Sequence, residues 1–313
     1  MGKKKFTGVS QFLARFRGWI QAGAALLTNL HLPNFLKGGL YQGAGKTVCV
    51  PGLNCYSCPA ASGACPIGAF QAVVGSSKFS FSYYITGILI LLGVLLGRFI
   101  CGFLCPFGWF QELLHKIPSR KLSTRKLKPL RYLKYAILLV MVFLLPAFLV
   151  NDVGMGDPFF CKYLCPQGVL EGAIPLSLAN SGIRAALGSL FTWKLAILLV
   201  VIVLSVLFYR PFCKWICPLG AFYALLNKVS LVQMKVDQSK CISCGKCARA
   251  CKMDVDVTKS PNHTECIRCG MCVRACPTNA VRFRCGFGTG KQGTVLPEKT
   301  NKQMNDIVKE KKS

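Results

Sequence analysis

Three stretches of the chain carry no Asp, Glu, Lys, Arg or His: Tyr83–Gly97, Ala136–Val150 and Leu195–Tyr209. Segments this apolar, when surrounded by lipid, must satisfy their backbone groups internally, which restricts them to helices. Each extends at its ends toward the roughly 20 residues that cross a hydrocarbon core about 30 Å thick. A fourth run, Gly18–Leu36, is interrupted by Gln21, Asn29, His31 and Pro33 and is expected to be a weaker span. The start MGKKK fits a signal peptide, but the apolar stretch ahead of Ala22-Gly23-Ala24 is short and apolar residues continue past it. Retention as an anchor is the expectation.

The formal net charge of +28, from 39 Lys and Arg against 11 Asp and Glu, invites a nucleic-acid role. Its distribution argues otherwise. Residues 1–17 carry five Lys/Arg and 98–134 carry nine, whereas 37–82 carry three and 151–190 carry two. That alternation is the positive-inside pattern. It makes 1–17 a basic cytoplasmic N-terminus, puts 37–82 and 151–190 outside, and puts 98–134 and everything after 210 inside. Topology and anionic lipid account for the charge, so no nucleic-acid partner is expected; docking of acidic electron carriers is a secondary use.

Residues 241–251 read CISCGKCARAC and residues 266–277 read CIRCGMCVRACP. Each is C-x2-C-x2-C-x3-C, the spacing of bacterial two-cluster ferredoxins, where the fourth cysteine of each run ligates the other cluster. One [4Fe–4S] cluster then takes Cys241, Cys244, Cys247 and Cys276, and the other takes Cys266, Cys269, Cys272 and Cys251. Gly245 and Gly270 let each loop wrap closely. The first run ends in Cys251-Lys252 rather than Cys-Pro, which leaves every ligand present. C-x2-C pairs also bind zinc, but two complete four-cysteine runs argue against it. A disulfide framework is disfavoured because these eight cysteines fall in a segment assigned to the cytoplasm, where thiols stay reduced.

A second pattern recurs at the ends of the apolar runs. Cys101–Cys105-Pro-Phe-Gly, Cys161–Cys165-Pro-Gln-Gly and Cys213–Cys217-Pro-Leu-Gly all contain C-x3-C-P-x-G. Cys58–Cys65-Pro-Ile-Gly is a stretched version, preceded by Cys49 and Cys55. Proline suits the first turn of a helix, where its missing N–H would be unpaired anyway. The preceding cysteine then sits at a helix N-terminus, whose dipole stabilises a thiolate or an anionic cluster. In the alternating topology Cys101, Cys105, Cys213 and Cys217 share the cytoplasmic edge, and Cys58, Cys65, Cys161 and Cys165 share the outer edge. Two pairs brought together by helix packing can hold a cluster that one pair cannot, giving one or two further clusters at the membrane edges. Buried packing thiols are the competing account, and on the outer side disulfides.

The combination VCVPGLNCYSCPAASGACPIGAF, CGFLCPFGWFQELLHKIP, FCKYLCPQGVLEG, RPFCKWICPLGAF and the double cysteine run resembles the NapH/MauN-type membrane ferredoxins. It is also similar to the membrane part of NosR-type regulators and to CcoG-type polyferredoxins. The resemblance covers about residues 10–285. It implies an integral membrane iron–sulfur protein of respiratory electron transfer, often serving a metalloenzyme. A covalent flavin is not implied.

Haem is not expected: the only histidines are His31, His115 and His263, and only His31 lies in a proposed span. No Asp or Glu lies in the three strong runs, which disfavours proton pumping. Asp152, Asp157, Glu112 and Glu171 are expected to be solvated loop residues. The fold expected is an α-helical membrane domain of four spans over 18–232, then a small α+β two-cluster ferredoxin domain over 233–285 and a polar, disordered tail over 286–313. Cys285 is a spare thiol. The function expected is electron relay between a cytosolic carrier and a membrane quinone or an outer-face oxidoreductase. A metal reductase or assembly factor handling a thiophilic ion such as Cu(I) is the alternative.

Overall fold

The computed structural model describes residues 8–76, 82–152 and 154–286. The tail expected over 286–313 lies, past Gly286, outside the described residues. Among them, two helices are long and apolar enough to cross a membrane, Leu127–Phe148 and Ser189–Leu207. The helix of the first apolar run spans Tyr83–Leu95, about 20 Å at 1.5 Å per residue. It gives way at Gly97, whose left-handed backbone (φ 54°) turns the chain into the short helix Phe99–Phe103.

The expected span Gly18–Leu36 is not one helix. The N-terminal helix runs Val9–Thr28 and stops at Asn29; a separate short helix follows at Asn34–Lys37. Thr28 turns its hydroxyl back onto the Ala24 and Ala25 carbonyls, at 3.0 and 3.1 Å, and Pro33 cannot continue the helix. The face this helix buries is Ala14, Arg17, Gln21 and Thr28. A stripe carrying arginine and glutamine packs against protein, and the helix is a bracket along the side of the fold.

Three of the four C-P-x-G motifs open helices as their sequence demands: Pro66–Gly75, Pro106–Lys116 and Pro218–Leu226. In each, proline fills the first turn and the cysteine before it is extended at the cap. Cys165 is likewise extended, and its helix begins four residues later, over Val169–Ala179.

Residues after 231 form the ferredoxin unit. Strand β1, Val232–Val236, pairs antiparallel with β2, Val281–Cys285, Val232 lying opposite Cys285. Between them come two matched loop–helix units. Gly245 (φ 66°) precedes Lys246–Ala250 and Gly270 (φ 75°) precedes Met271–Ala275. At Gly270 an added Cβ would lie 2.6 Å from that of Ala14, so the N-terminal helix packs directly on the second loop. The Phe283 N–H donates to the Ser10 hydroxyl at 3.1 Å.

Charged side chains buried at the joint tie the ferredoxin unit to the helical core. Glu265 lies between Arg98 (2.9 Å) and Lys134 (2.6 Å), all three nearly inaccessible to solvent. Burial alone would push the Glu265 carboxyl up, but Arg98 and Lys134 beside it hold it down at about 2.

Candidate iron–sulfur centres

The four thiols predicted to share one edge do converge. Cys101, Cys105, Cys213 and Cys217 all line one small enclosed cavity, closed off by Leu53, Phe212 and Tyr223. All four are buried and none forms a disulfide. Among the described residues no three His, Cys, Asp or Glu side chains close on a point as they would around a single ion. A four-iron cluster spaces its thiolates more widely, and this quartet surrounds a space. We call it the ferredoxin-side centre, because the second cysteine run packs against it. Cys251, Cys269 and Ile267 belong to the same apolar cluster as Cys101, Cys105 and Cys217. A Cβ on Gly102 would collide with the Ile267 carbonyl, so the backbone between Cys101 and Cys105 touches the loop between Cys266 and Cys269.

Within the ferredoxin unit, Cys251 stands among Cys266, Cys269 and Cys272, near enough for their charges to act on one another. Cys276 shares a buried cluster with Cys247 and Cys241. Cys251 thus stands with the second run's first three cysteines, and Cys276 with Cys241 and Cys247 of the first run.

A group not anticipated from the sequence repeats at both membrane-domain centres. The residue five positions after each C-P-x-G proline is Gln71, Gln111, Glu171 or Tyr223. Gln111 donates to Cys213 Sγ at 3.2 Å and accepts from the Phe212 N–H at 3.2 Å. Gln71 does the same one repeat earlier, donating to Cys161 Sγ at 3.2 Å and accepting from the Phe160 N–H at 3.0 Å. Each glutamine clamps the first sulfur of another repeat and the peptide ahead of it. In-register repetition of P-x-G-x-F-Q at 66–71 and 106–111 was the available signal. The C-P-x-G glycines add backbone donors to the sulfur before them, as where Gly220 N–H reaches Cys217 Sγ at 3.3 Å. Tyr223 and Glu171 grip the loop 51–58 from two sides. The Tyr223 hydroxyl donates to the Pro51 carbonyl at 3.0 Å, and Glu171 accepts the Cys55 N–H at 3.0 Å.

The second group of thiols forms the far centre. Gly68 lies against Cys65 and Cys161: an added Cβ would be 3.8 Å from Cys65 Cβ and 3.7 Å from Cys161 Sγ. Cys65 and Cys165 are buried in the same core as the ferredoxin-side thiols. Cys58, expected beside them, is fully buried elsewhere, with Ala60 and Ala61, its Sγ 3.6 Å from Asn29 Oδ1. Cys49 pairs by a backbone bridge with Ala64, and Cys285 is exposed at the end of β2.

Two expectations about acidic residues are corrected. Glu112 is held between Arg17 and Arg210 with the Tyr209 hydroxyl donating to it. Burial opposes its ionisation, but Arg210 and Arg17 win and lower its pKa. Glu171 is enclosed, and burial drives its carboxyl up to about 7. Neither is a solvated loop residue. Buried cations also face the ferredoxin-side centre: Arg210 donates to the Cys101 carbonyl, and Arg98 to the Cys213 carbonyl at 3.4 Å.

A family model described as a 4Fe–4S binding domain matches four times, over 63–84, 80–125, 134–174 and 190–237. Each match contains one C-P-x-G motif. A second model with that description matches 234–255 and 260–282, the two ferredoxin runs. The chain is 26% identical, over 61% of its length and 56% of the relative's, to the methylamine utilization ferredoxin-type protein MauN of Methylorubrum extorquens. It is 25% identical, over 56% of its length and 54% of the relative's, to the ferredoxin-type protein NapH of Haemophilus influenzae. The chain belongs to the NapH/MauN-type ferredoxin proteins. An uncharacterized protein of Methanocaldococcus jannaschii is 28% identical over 55% of this chain and 66% of its own length. The matches thus span about half to two thirds of these relatives. No solved structure matches the chain. The matches give the chain 4Fe–4S binding domains over both its helical part and its ferredoxin unit, and two of its described helices are fit to cross a membrane.

Proposed function

We propose that this protein is a multi-pass membrane relay, with its ferredoxin unit and both termini cytoplasmic. It passes electrons between a cytosolic carrier and a membrane quinone or an outer-face oxidoreductase. Four [4Fe–4S] clusters would supply the one-electron exchange: two in the ferredoxin unit, held by the eight cysteines of its runs, and one at each membrane-domain centre. One observation carries this. A single buried core contains Cys101, Cys105 and Cys217 of the ferredoxin-side centre and Cys65 and Cys165 of the far centre, and half-buried Cys251 and Cys269 of the ferredoxin runs pack against it.

That continuity bears on the apolar gap a membrane-edge arrangement would leave. The loop after Cys49 reaches inward until a Cβ on Gly52 would lie 2.7 Å from Cys105 Cα. Tyr223, fully buried, stands where charges of Cys101, Cys65 and Cys105 all act on it. The chain's own residues hold the sulfurs, exclude water and aim donors at them, which is how a protein sets a cluster's potential. A quinone is favoured as the membrane-side partner by a cavity of about 360 Å³ between the N-terminal and Pro106 helices. Its walls include Phe107, Trp109 and Phe110, and its polar lining includes Asn29, Gln167 and Glu171. Apolar walls with few polar groups suit an aromatic carrier.

Iron and acid-labile sulfide per chain, after anaerobic purification in detergent, test the reading. The proposal expects about sixteen irons; about twelve removes one membrane-domain centre, and about eight removes both and with them the relay.

A further inference from the structure

The far centre has a missing member. At the ferredoxin-side centre each C-P-x-G cysteine is accompanied by another four residues earlier, giving Cys101 with Cys105 and Cys213 with Cys217. At the far centre Cys165 has Cys161, but the position four before Cys65 is Ala61. Repetition alone therefore supplies three thiols. A fourth must come from the loop 49–58, where Cys49, Cys55 and Cys58 are available.

Geometry separates the three. Cys58 is turned toward Asn29 and lines the cavity beside the N-terminal helix. Cys49 is held in its backbone bridge to Ala64, and no other far-centre cysteine acts on its thiol. Cys55 faces the third repeat: a Cβ on Gly168, the glycine of Cys165-Pro-Gln-Gly, would lie 3.6 Å from its Sγ. Its backbone N–H is fixed by Glu171, the residue occupying the repeat position of the sulfur-clamping glutamines. Cys65, Cys161 and Cys165 each lie near enough to Cys55 for a thiolate there to act on them. Lys194 completes the surroundings, 3.3 Å from that same Gly168 Cβ position and donating to the Cys161 carbonyl at 3.1 Å.

We propose that Cys55, Cys65, Cys161 and Cys165 form the ligand set of a far-centre iron–sulfur cluster, with Lys194 as its nearby cation and Cys58 outside the set. This rests on the relay reading and assigns the ligands of one of its centres. Two independent features support a thiolate site over a disulfide. Gln71 donates a hydrogen bond to Cys161 Sγ just as Gln111 does at the other centre, and all four thiols are free.

The test is iron and sulfide content of anaerobically purified full-length Cys55→Ser and Cys58→Ser proteins beside the parent. Cys55→Ser is expected to lose about four irons and four sulfides and to keep the remaining twelve or so, while Cys58→Ser keeps all. Loss in Cys58→Ser with retention in Cys55→Ser overturns the assignment. A parent holding only about twelve irons, with Cys161→Ser losing none of them, instead overturns the far centre itself. Because a serine variant can fail to fold, iodoacetamide labelling of the unaltered protein, read by mass spectrometry, gives a second measure. Cys55 is expected to be protected until iron is chelated; equal labelling before and after chelation overturns its role.

Discussion

The two membrane-domain centres are built on one plan and set in different surroundings. Each takes sulfurs from alternate repeats, clamps one of them with a glutamine and seats a C-P-x-G cysteine at a helix cap. The ferredoxin-side centre is then enclosed by buried arginines and covered by the ferredoxin unit. The far centre has one half-buried lysine, a carboxyl that burial raises to about 7, and a loop that crosses from one centre to the other. The comparison teaches that ligand geometry is repeated whereas electrostatic setting is not. A cluster's potential follows charge, hydrogen bonding and solvent exposure, so two like centres can be poised apart by their neighbours.

The largest effect is expected where the ferredoxin side is held together. Glu265→Ala leaves Arg98 and Lys134 buried without a carboxylate, and removing one partner from such a set costs about 3–5 kcal/mol. Thermal unfolding in detergent should fall accordingly, with the ferredoxin-side paramagnetic signal perturbed and the far one unchanged. An unaltered melting curve would show that the buried ion set does not hold the joint. Next comes Lys194→Met. A unit charge within about 8 Å, at an effective dielectric near 20, acts with about 2 kcal/mol, or on the order of 90 mV for one electron. The far potential should drop by that order in a redox titration, with Lys194→Arg close to the parent; a shift at the ferredoxin side instead would break the assignment of surroundings. The smallest effect separates the two clamps. Gln71→Leu and Gln111→Leu each remove one sulfur hydrogen bond of about 0.5–1.5 kcal/mol, lowering the potential of its own centre by roughly 20–60 mV. Both substitutions moving one centre only would falsify the paired-clamp arrangement.

What the sequence disclosed was what local spacing can encode. The left-handed glycines before the ferredoxin helices and the proline-started helices follow from residues within a few positions of each other. So did the convergence of Cys101 with Cys213, because the repeat itself marks equivalent places. The sequence pairs Cys58 with Cys65 on proximity along the chain; the proposed exchange of Cys58 for Cys55 rests on a long-range approach, Cys55 Sγ to Gly168 of the third repeat, that no local spacing encodes. The same limit applies to charge. Arg98 and Glu265 are 167 positions apart, and no local pattern announces that Glu112 or Glu171 is buried. The N-terminal run Gly18–Leu36 was weak as a membrane span because Gln21, Asn29, His31 and Pro33 interrupt it; Gln21, with Arg17 just ahead of the run, lies on a protein-facing stripe where both donate to the Gly102 carbonyl.

Charge at the joint is unbalanced in a way that ties assembly to closure. Glu112, Asp254 and Glu265 each serve two cations: Arg17 with Arg210, Arg131 with Lys214, and Arg98 with Lys134. Three anions among six cations leave a surplus of positive charge in a region that water barely enters. Thiolates bound to iron are the natural counter-ions, and cysteines of the ferredoxin-side centre and of the ferredoxin runs lie near enough to act on Arg17, Arg98, Arg210 and Lys214. Ligation deprotonates thiols and couples to folding, and whatever binds only the closed form stabilises it. On the relay reading, cluster insertion and docking of the ferredoxin unit form a single linked equilibrium, and an iron-depleted chain is expected to hold its two halves together less tightly than a loaded one.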